Sequence, residues 1–192
     1  MNLISNQNIN ESDLITGCLN GDSRMQEELY KRFAPKMYSV CLRYANNVEN
    51  AQDLLQEGFI KIFRNLDRFR GDGSFEGWVR RIFINTSIEY YRKKANVFFA
   101  SEKEELMVED SSLNALDKLA EKDIIKLVQE LSPGYRTVFN LYAIEGYSHK
   151  EIGIMLNISE GTSKSQLARA KGILKNKVDR FLDEKRKSLI RK

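Results

Sequence analysis

Hydrophobic residues recur along this chain every three or four positions, the spacing of amphipathic helices, and no segment keeps a convincing two-residue alternation. Asp, Ser and Gly residues at suitable places predict where helices begin and end. In the first half the predicted helices cover about residues 11–20, 22 or 23–44, 48–69 and 74–95. In the second half, helical spacing covers 116–131, followed by predicted helices over 132–146, 148–156 and from 159 to at least 178.

This pattern predicts an all-α fold of two small helical domains joined by a flexible linker. We place the first domain at residues 1–95, an acidic linker at 96–113, the second domain at 114–181 and a basic tail at 182–192. The last two helices of the second domain follow the order short helix, three-residue turn, longer helix. This order is the layout of a helix-turn-helix DNA-binding domain.

The distribution of charge says more than the net charge, which is only +4 over 192 residues. Residues 159–192 hold 11 Lys and Arg against 4 Asp and Glu, and residues 80–94 hold 5 against 1. Between them, residues 101–110 hold 5 acidic residues and 1 Lys. Two basic segments separated by an acidic one indicate two contacts with a polyanion.

Several functional classes find no support in the sequence. Cys18 and Cys41 lie singly in apolar helical patterns, which is typical of core residues in a reduced, cytoplasmic protein. His149 is the only histidine and is expected at the surface, so we predict no metal site and no cofactor. The Gly71–Ser74 segment lacks a phosphate-binding lysine, and we predict no catalytic activity. We also expect no signal peptide and no membrane insertion.

The predicted helix after Ser74 has two different faces. One is an ordinary core stripe of Phe75, Val79, Ile82, Phe83, Thr86 and Tyr90. The other combines Trp78, Arg81, Asn85, an exposed Ile88 and Arg92. Bases stack on aromatic rings and phosphates pair with Arg, so the second face suits nucleic acid with unstacked bases. A basic helix with a half-buried Trp explains this segment equally well.

The predicted last helix carries a second candidate DNA surface. Its outward positions are Thr162, Lys164, Ser165, Gln166 and Arg169, which can bond to base edges or phosphates. Ser159, Gly161 and Thr162 at its start can donate to a phosphate. The alternative is a helical hairpin that binds protein.

The predicted helix over 48–69 carries a third candidate surface. It buries Leu55, Phe59, Ile62, Phe63 and Leu66, and presents Asp53, Gln56, Glu57 and Ile60 on the opposite side. An apolar residue within a polar rim is typical of a protein contact. A solvated helix face is the alternative.

Specific segments resemble the conserved regions of bacterial sigma factors. Residues 51–63 (AQDLLQEGFIKIF), 69–78 (FRGDGSFEGW) and 81–86 (RIFINT) are similar to the second region. Residues 131–136 (LSPGYR), 145–152 (EGYSHKEI) and 159–171 (SEGTSKSQLARAK) are similar to the fourth. The small size, with only a linker between these regions, resembles the extracytoplasmic-function (ECF) subfamily.

This resemblance implies a promoter-specificity subunit of RNA polymerase and assigns each surface a partner. It implies docking on the clamp helices of the largest polymerase subunit through Asp53, Leu54, Gln56, Glu57 and Ile60. It implies capture of an unstacked minus-ten base by Arg70, Gly71, Asp72, Gly73, Ser74, Trp78, Arg81 and Asn85. It implies that the minus-thirty-five element is read by Lys164, Ser165, Ala168 and Arg169. The predicted surface is completed by Ser159, Gly161, Thr162 and Gln166.

The resemblance also leaves points open. Ala168 departs from family members that carry a bulky side chain there, so the sequence preference does not follow. The acidic linker corresponds to the segment that threads the polymerase channels, and an anti-sigma factor is a candidate partner. Two rival functions are a stand-alone helix-turn-helix regulator and a helical protein-interaction adaptor. Neither rival gives a purpose to all three surfaces.

Overall fold

A computed structural model describes residues 9–98 and 121–190, and all regular secondary structure in these two ranges is helical. The α-helices are α1 (Glu11–Leu19), α2 (Ser23–Tyr44), α3 (Val48–Asn65), α4 (Phe75–Phe98), α5 (Glu121–Gln129), α6 (Pro133–Phe139), α7 (His149–Leu156) and α8 (Glu160–Ile190). The predicted all-α fold class is thereby confirmed. Most of the predicted linker, from residue 99 onward, lies outside the described residues, and the domain boundaries stay predictions.

Two predicted helix limits differ from the structure. The helix predicted to reach residue 69 ends at Asn65, and a 3₁₀ turn over Leu66–Arg68 follows it. The helix predicted to end near residue 95 continues to Phe98, so the first residues assigned to the linker are helical. Helix ends fray or tighten because of tertiary contacts, and the spacing of apolar residues in the sequence does not reveal those contacts.

Side-chain caps explain why most helices begin where the sequence predicts. The Asp22 carboxylate accepts from the backbone N–H of Arg24 at 2.8 Å. Ser74 Oγ accepts from the N–H of Gly77, and Ser148 forms a reciprocal capping box with Glu151. Each cap satisfies backbone donors that a helix N-terminus leaves unpaired.

Ser132 is the exception among the predicted caps. The α6 helix does begin with Pro133 in the first position, as predicted, but the Ser132 side chain makes no capping hydrogen bond. Its Oγ is buried without a partner in the described structure. Proline lacks the N–H and fixes φ near the helical value, so the start of α6 does not depend on a hydroxyl cap.

Helices α1 to α4 pack around an aromatic and aliphatic core. Phe59 of α3 meets Phe83 of α4 edge to face, with ring centroids 5.4 Å apart. Phe33 of α2 meets Phe75 of α4 in the same way at 5.4 Å. Such edge-to-face pairs favour one relative orientation of the helices, which positions α3 and α4 firmly against each other.

The second group, α5 to α8, contains the helix-turn-helix. Asn157 ends α7 in the left-handed conformation at φ 56°, which reverses the chain toward α8. A Cβ on Gly153 would lie 2.9 Å from the Ile158 carbonyl oxygen, so the turn packs closely on α7. Between α6 and α7, Asn140–Ile144 forms a π-helical turn. The predicted turn at residues 157 and 158 is confirmed.

Helices of the first group contact helices of the second. Helix α2 contacts α5 and α6, and α4 contacts α6 and α7. Buried side chains of both groups belong to one connected apolar core. The two groups of helices therefore share an interface that includes α2 and α4.

Candidate nucleic-acid and polymerase interfaces

The exposed side of α3 carries the predicted protein-contact residues, which we call the docking face. Asp53, Gln56, Glu57 and Ile60 are all exposed. Leu54 is not, because it is only 3% exposed and lies in the core. A helix turns by about 100° per residue, so the neighbour of an exposed Asp53 can point inward. Leu54 therefore lies beneath the docking face, and its part in docking stays a prediction.

A groove next to the docking face was missed by the sequence reasoning. It has a volume of about 700 Å³ and lies between α2 and α3. Its lining consists of Tyr30, Tyr38, Gln52, Leu55, Gln56, Phe59, Ile60 and Phe63. Tyr30 and Tyr38 are eight residues apart on α2, which places them on one helix face, and this spacing was the available signal. Ile60 and Gln56 thus border an aromatic groove.

The predicted minus-ten residues occupy the loop before α4 and the exposed side of its first turns. Arg70 to Ser74 are all exposed. Gly71 and Gly73 have φ values of 78° and 105°, a region that side-chain-bearing residues rarely adopt. Arg81 and Asn85 are exposed three and seven residues after Trp78, which puts the three on one stripe beside this loop.

Trp78 is half-buried and held by two other aromatic rings. Its indole stacks on Phe75 at 5.7 Å with an interplanar angle of 19°, and lies tilted against Phe69 at 5.6 Å. These contacts fix the indole before any ligand arrives, which lowers the entropy that binding would cost. The loop, Trp78, Arg81 and Asn85 together form one surface, which we call the Trp78 surface.

The C-terminal part of the predicted polar face of α4 is partly buried and contacts α7. Ile88, predicted to be exposed, is 4% exposed. Arg92 Nη2 donates to the carbonyl oxygen of Ile154 on α7 at 3.4 Å. Arg92 itself stays exposed, and its contact with α7 joins residues 62 positions apart in sequence, which local spacing cannot reveal.

Helix α7 is attached to α8 through its histidine. His149 Nδ1 lies 2.9 Å from Ser163 Oγ, and the imidazole stacks on Tyr142 with ring centroids 4.4 Å apart. Burial, and next the charge of Lys164, hold the pKa of His149 below its ordinary value. The neutral ring can accept from or donate to the serine hydroxyl, so His149 joins the two helices of the helix-turn-helix.

The first turns of α8 present most of the predicted minus-thirty-five residues, which we call the recognition face. Lys164, Ser165 and Ala168 are exposed, as are Ser159 and Gly161. Lys164 Nζ lies 2.7 Å from Glu160 Oε1, and its hydrogen bond lowers the pKa of that carboxyl. Since Ser159 Oγ accepts from the Thr162 N–H at 2.9 Å, this hydroxyl already serves as the helix cap.

Gln166 and Arg169 are less accessible than predicted. Both are half-buried, and Arg169 Nη1 lies 3.4 Å from the hydroxyl of Tyr135. The Gln166 Oε1 atom is buried without a hydrogen-bond partner in the described structure. The outward position on α8 was predicted from helix periodicity, which does not include the α6 residues that lie over this part of the helix.

No cluster of His, Cys, Asp and Glu in the described ranges could hold a metal ion. Cys18 and Cys41 are buried, and burial raises the pKa of the Cys41 thiol to about 12. None of the described helices is both long and apolar enough to span a lipid bilayer.

Family comparisons agree with the order of the two helical groups. The sigma-70 region 2 family matches residues 29–97, and the sigma-70 region 4 family matches residues 121–174. The first match contains the docking face and the Trp78 surface, and the second contains the recognition face.

Individual relatives extend over most of the chain. The ECF RNA polymerase sigma factor SigW of Bacillus subtilis is 30% identical over 170 residues, covering 82% of this chain and 91% of the relative. The ECF RNA polymerase sigma factor SigE of Mycolicibacterium smegmatis is 29% identical over 163 residues. That match covers 82% of this chain but 63% of SigE, so the chain spans a little less than two thirds of that relative.

A similar solved structure is the sigma factor RpoE of Bartonella quintana, determined in complex with the anti-sigma factor NepR. It is 21% identical, covers 78% of this chain and 94% of its own, and has a TM-score of 0.47. With both sigma-70 regions present in order and SigW matched over nearly its whole length, this chain belongs to the ECF sigma factors of the sigma-70 family.

Proposed function

We propose that this sigma factor uses three separate surfaces to start transcription. The docking face of α3 binds core RNA polymerase, the Trp78 surface captures an opened minus-ten base, and the recognition face of α8 reads the minus-thirty-five duplex. The protein performs no chemistry and acts in the cytoplasm. Its binding energy brings polymerase to a promoter and offsets the cost of opening the strands.

The observation that carries this proposal is the support of Trp78 by Phe75 and Phe69, next to exposed Arg81 and Asn85. Extruding a base from a duplex costs a few kcal/mol. Stacking a base on an aromatic side chain returns about 1–3 kcal/mol. A preformed aromatic platform flanked by an amide and a guanidinium can therefore offset much of the cost of extruding the base.

Polymerase binding is assigned to the docking face because of its residues and the tyrosine-lined groove beside it. An exposed Ile60 among Asp53, Gln56 and Glu57 forms an apolar centre with a polar rim, and the tyrosine-lined groove continues it. Interfaces concentrate their binding energy in such aromatic and apolar centres. Helical segments of the polymerase clamp are the occupants that the family resemblance implies.

The recognition face is assigned to duplex DNA. Its exposed Lys164 and Ser165 can reach phosphates and base edges in the major groove, while the start of α8 offers backbone N–H groups to a phosphate. Phosphate contacts fix the register and base contacts add sequence preference. The acidic linker would occupy polymerase channels built to hold nucleic acid, and an anti-sigma factor remains a candidate partner.

Run-off transcription tests the proposal directly. Core polymerase is mixed with a fragmented genomic library, with and without this protein, and transcripts are sequenced. Promoter-dependent transcripts that share upstream elements and require the protein are expected. Core polymerase alone supplies the background of non-specific initiation. Absence of any protein-dependent transcript would contradict the proposal, and nanomolar binding of a specific duplex without polymerase would favour a stand-alone regulator.

A further inference from the structure

A carboxylate of the second domain is held by two arginines of the first, a contact that the proposed function does not use. Glu145 Oε2 accepts from Arg80 Nε at 2.8 Å, and Oε1 accepts from Arg80 Nη2 at 2.9 Å. Arg43 Nη2 lies 3.5 Å from Oε1. The Glu145 side chain is only 4% exposed. A two-point Arg–carboxylate pair of this kind is among the stronger and more directional polar contacts.

The second domain also binds the C-terminal end of α2. Arg136 Nη1 donates to the Tyr44 carbonyl at 3.3 Å, Asn140 Nδ2 to that of Arg43 at 2.7 Å, and Gln129 Nε2 to that of Leu42 at 2.9 Å. The last carbonyls of a helix have no partner within it, and a cation there is favourable. Arg136 is buried, which lowers its pKa to about 10. The second domain therefore caps α2.

This contact also brings α4 close to one residue of the recognition face, Gln166, which packs on α6. Gly134 of α6 lies between α4 and α8, because a Cβ there would be 3.3 Å from Tyr91 Oη and 3.5 Å from Gln166 Nε2. The buried Oε1 of Gln166 has no hydrogen-bond partner in the described structure. A glutamine recognises adenine by offering both its oxygen and its nitrogen to the base edge. In this arrangement Gln166 cannot offer both.

The closed arrangement also does not fit a promoter. The minus-ten and minus-thirty-five elements lie roughly 25 base pairs apart, which is about 85 Å of duplex at 3.4 Å per pair. Here α4 and α8 approach each other within the reach of two side chains at Gly134. One sigma factor can contact both elements only after the contact between α4 and the second domain has separated.

The contact between the two domains contains buried polar atoms without hydrogen-bond partners in the described structure, which favours its separation. Buried polar side-chain atoms that lack a hydrogen-bond partner, among the residues the structure describes, are concentrated here. They are Arg43 Nε, Tyr44 Oη, Arg136 Nε, Asn140 Oδ1 and Gln166 Oε1, with Ser132 Oγ at the start of α6. Such groups cost free energy while buried and regain hydrogen bonds to water on exposure. Opening the contact therefore recovers part of what breaking the Glu145 pair loses.

We infer that Glu145, through Arg80 and Arg43, is a latch that holds the two domains of the free sigma factor together, with α4 beside the recognition face. Binding to polymerase must pull the two domains apart and break this latch. The biological meaning of the latch rests on the proposed function, because only a promoter-binding protein needs its domains apart. The closed state itself can be tested without DNA or polymerase.

The test compares the full chain with Glu145→Gln, which keeps the shape of the side chain and removes its charge. Glu130→Gln is the matched control, because Glu130 pairs with Lys177 inside the second domain. Small-angle X-ray scattering should give the same radius of gyration for the parent and the control, near the 16 Å or so expected of a compact chain of this length. Glu145→Gln should give a larger radius.

A second readout is the affinity of the free chain for a duplex taken from a promoter recovered by run-off selection. Glu145→Gln should bind it at least tenfold more tightly than the parent, since a larger fraction of molecules is competent. An unchanged radius, an expanded parent, or expansion without tighter binding would each overturn the latch. If no promoter is recovered, the proposed function fails, while the scattering still decides whether the chain is closed.

Arg80→Gln removes the other partner of the Glu145 pair, and it tests whether the expansion of Glu145→Gln comes from loss of this pair or from misfolding. It should increase the radius as Glu145→Gln does, and the double variant should add little, because both changes remove one interaction. Circular dichroism should show parental helix content for all three. Fully additive expansion in the double variant would show that the two residues act separately and would overturn the assignment of the pair.

Discussion

Gly58 of α3 lies directly against the ring of Phe83 on α4. A Cβ at position 58 would be 2.1 Å from Phe83 Cε1 and 2.5 Å from Cδ1, far inside van der Waals contact. Only glycine permits this approach without displacement of the ring. Since α3 carries the docking face and α4 the Trp78 surface, this contact sets how the proposed polymerase-binding and DNA-binding surfaces are placed relative to each other.

We therefore expect Gly58→Ala to destabilise the first domain by about 1–3 kcal/mol, the usual cost of inserting a methyl group into a packed core. Urea unfolding followed by circular dichroism measures the change. Gly161→Ala is the control, because a Cβ there would come no closer than 3.7 Å to Ser159 Oγ and alanine favours helix. Equal unfolding midpoints for Gly58→Ala and the parent would contradict the tight contact.

The docking face predicts a loss of polymerase affinity in the double variant Asp53→Ala, Gln56→Ala. We expect binding to core polymerase to weaken about tenfold or more, equivalent to about 1.4 kcal/mol, because polar contacts at the rim of an apolar centre are lost. Fluorescence anisotropy of labelled sigma factor measures the affinity. Asn176→Ala with Asp179→Ala removes an exposed amide and carboxylate at the same spacing on α8 and should have no effect. Similar losses in both would argue against the docking role.

The Trp78 surface predicts a defect in strand opening when its exposed amide is removed. Asn85→Ala should lower the permanganate reactivity of the minus-ten strand in holoenzyme complexes, while binding to the closed duplex changes little. Asn85 is exposed, so the substitution should leave the fold intact. Asn176→Ala provides an exposed amide outside the three surfaces as a control. Parental permanganate reactivity in Asn85→Ala would count against base capture.

The recognition face predicts different behaviour for its two cationic residues. The proposed function assigns a base contact to Arg169, which is half-buried beside Tyr135, so Arg169→Ala should cost about 1–3 kcal/mol at particular minus-thirty-five positions only. Lys164 is exposed, and Lys164→Ala should weaken all duplexes alike and reduce the salt slope by about one. Binding titrations on a set of upstream-element variants at several salt concentrations distinguish them. A uniform loss in Arg169→Ala would make it a phosphate contact.

Much of the local structure could be predicted from the sequence because its causes are local. Asp22, Ser74, Ser148 and Ser159 each cap the helix that the spacing of apolar residues predicts, with bonds only two or three residues long. The same is true of the glycines at positive φ in the loop before α4. Candidate surfaces followed from residues of unusual type on the polar side of these helices, and the family followed from their order.

Side-chain exposure was predicted less well, because exposure depends on residues far away in sequence. Leu54 and Ile88 lie on predicted contact faces, yet both are buried by other helices. Tyr30 and Tyr38 form a groove only because α3 lies beside α2. Periodicity defines the faces of a single helix, and it does not say which of two partly apolar faces a neighbouring helix covers.

The sequence by itself determined the helices, their caps, the helix-turn-helix and the family, since each depends on short-range chemistry or on residue order. Only the tertiary structure decided that Glu145 meets Arg80, 65 residues away, that the second domain caps α2, and that Gln166 packs on α6. Those contacts arise when two surfaces with complementary charge and shape come together. Nothing in the local pattern of either segment specifies its partner.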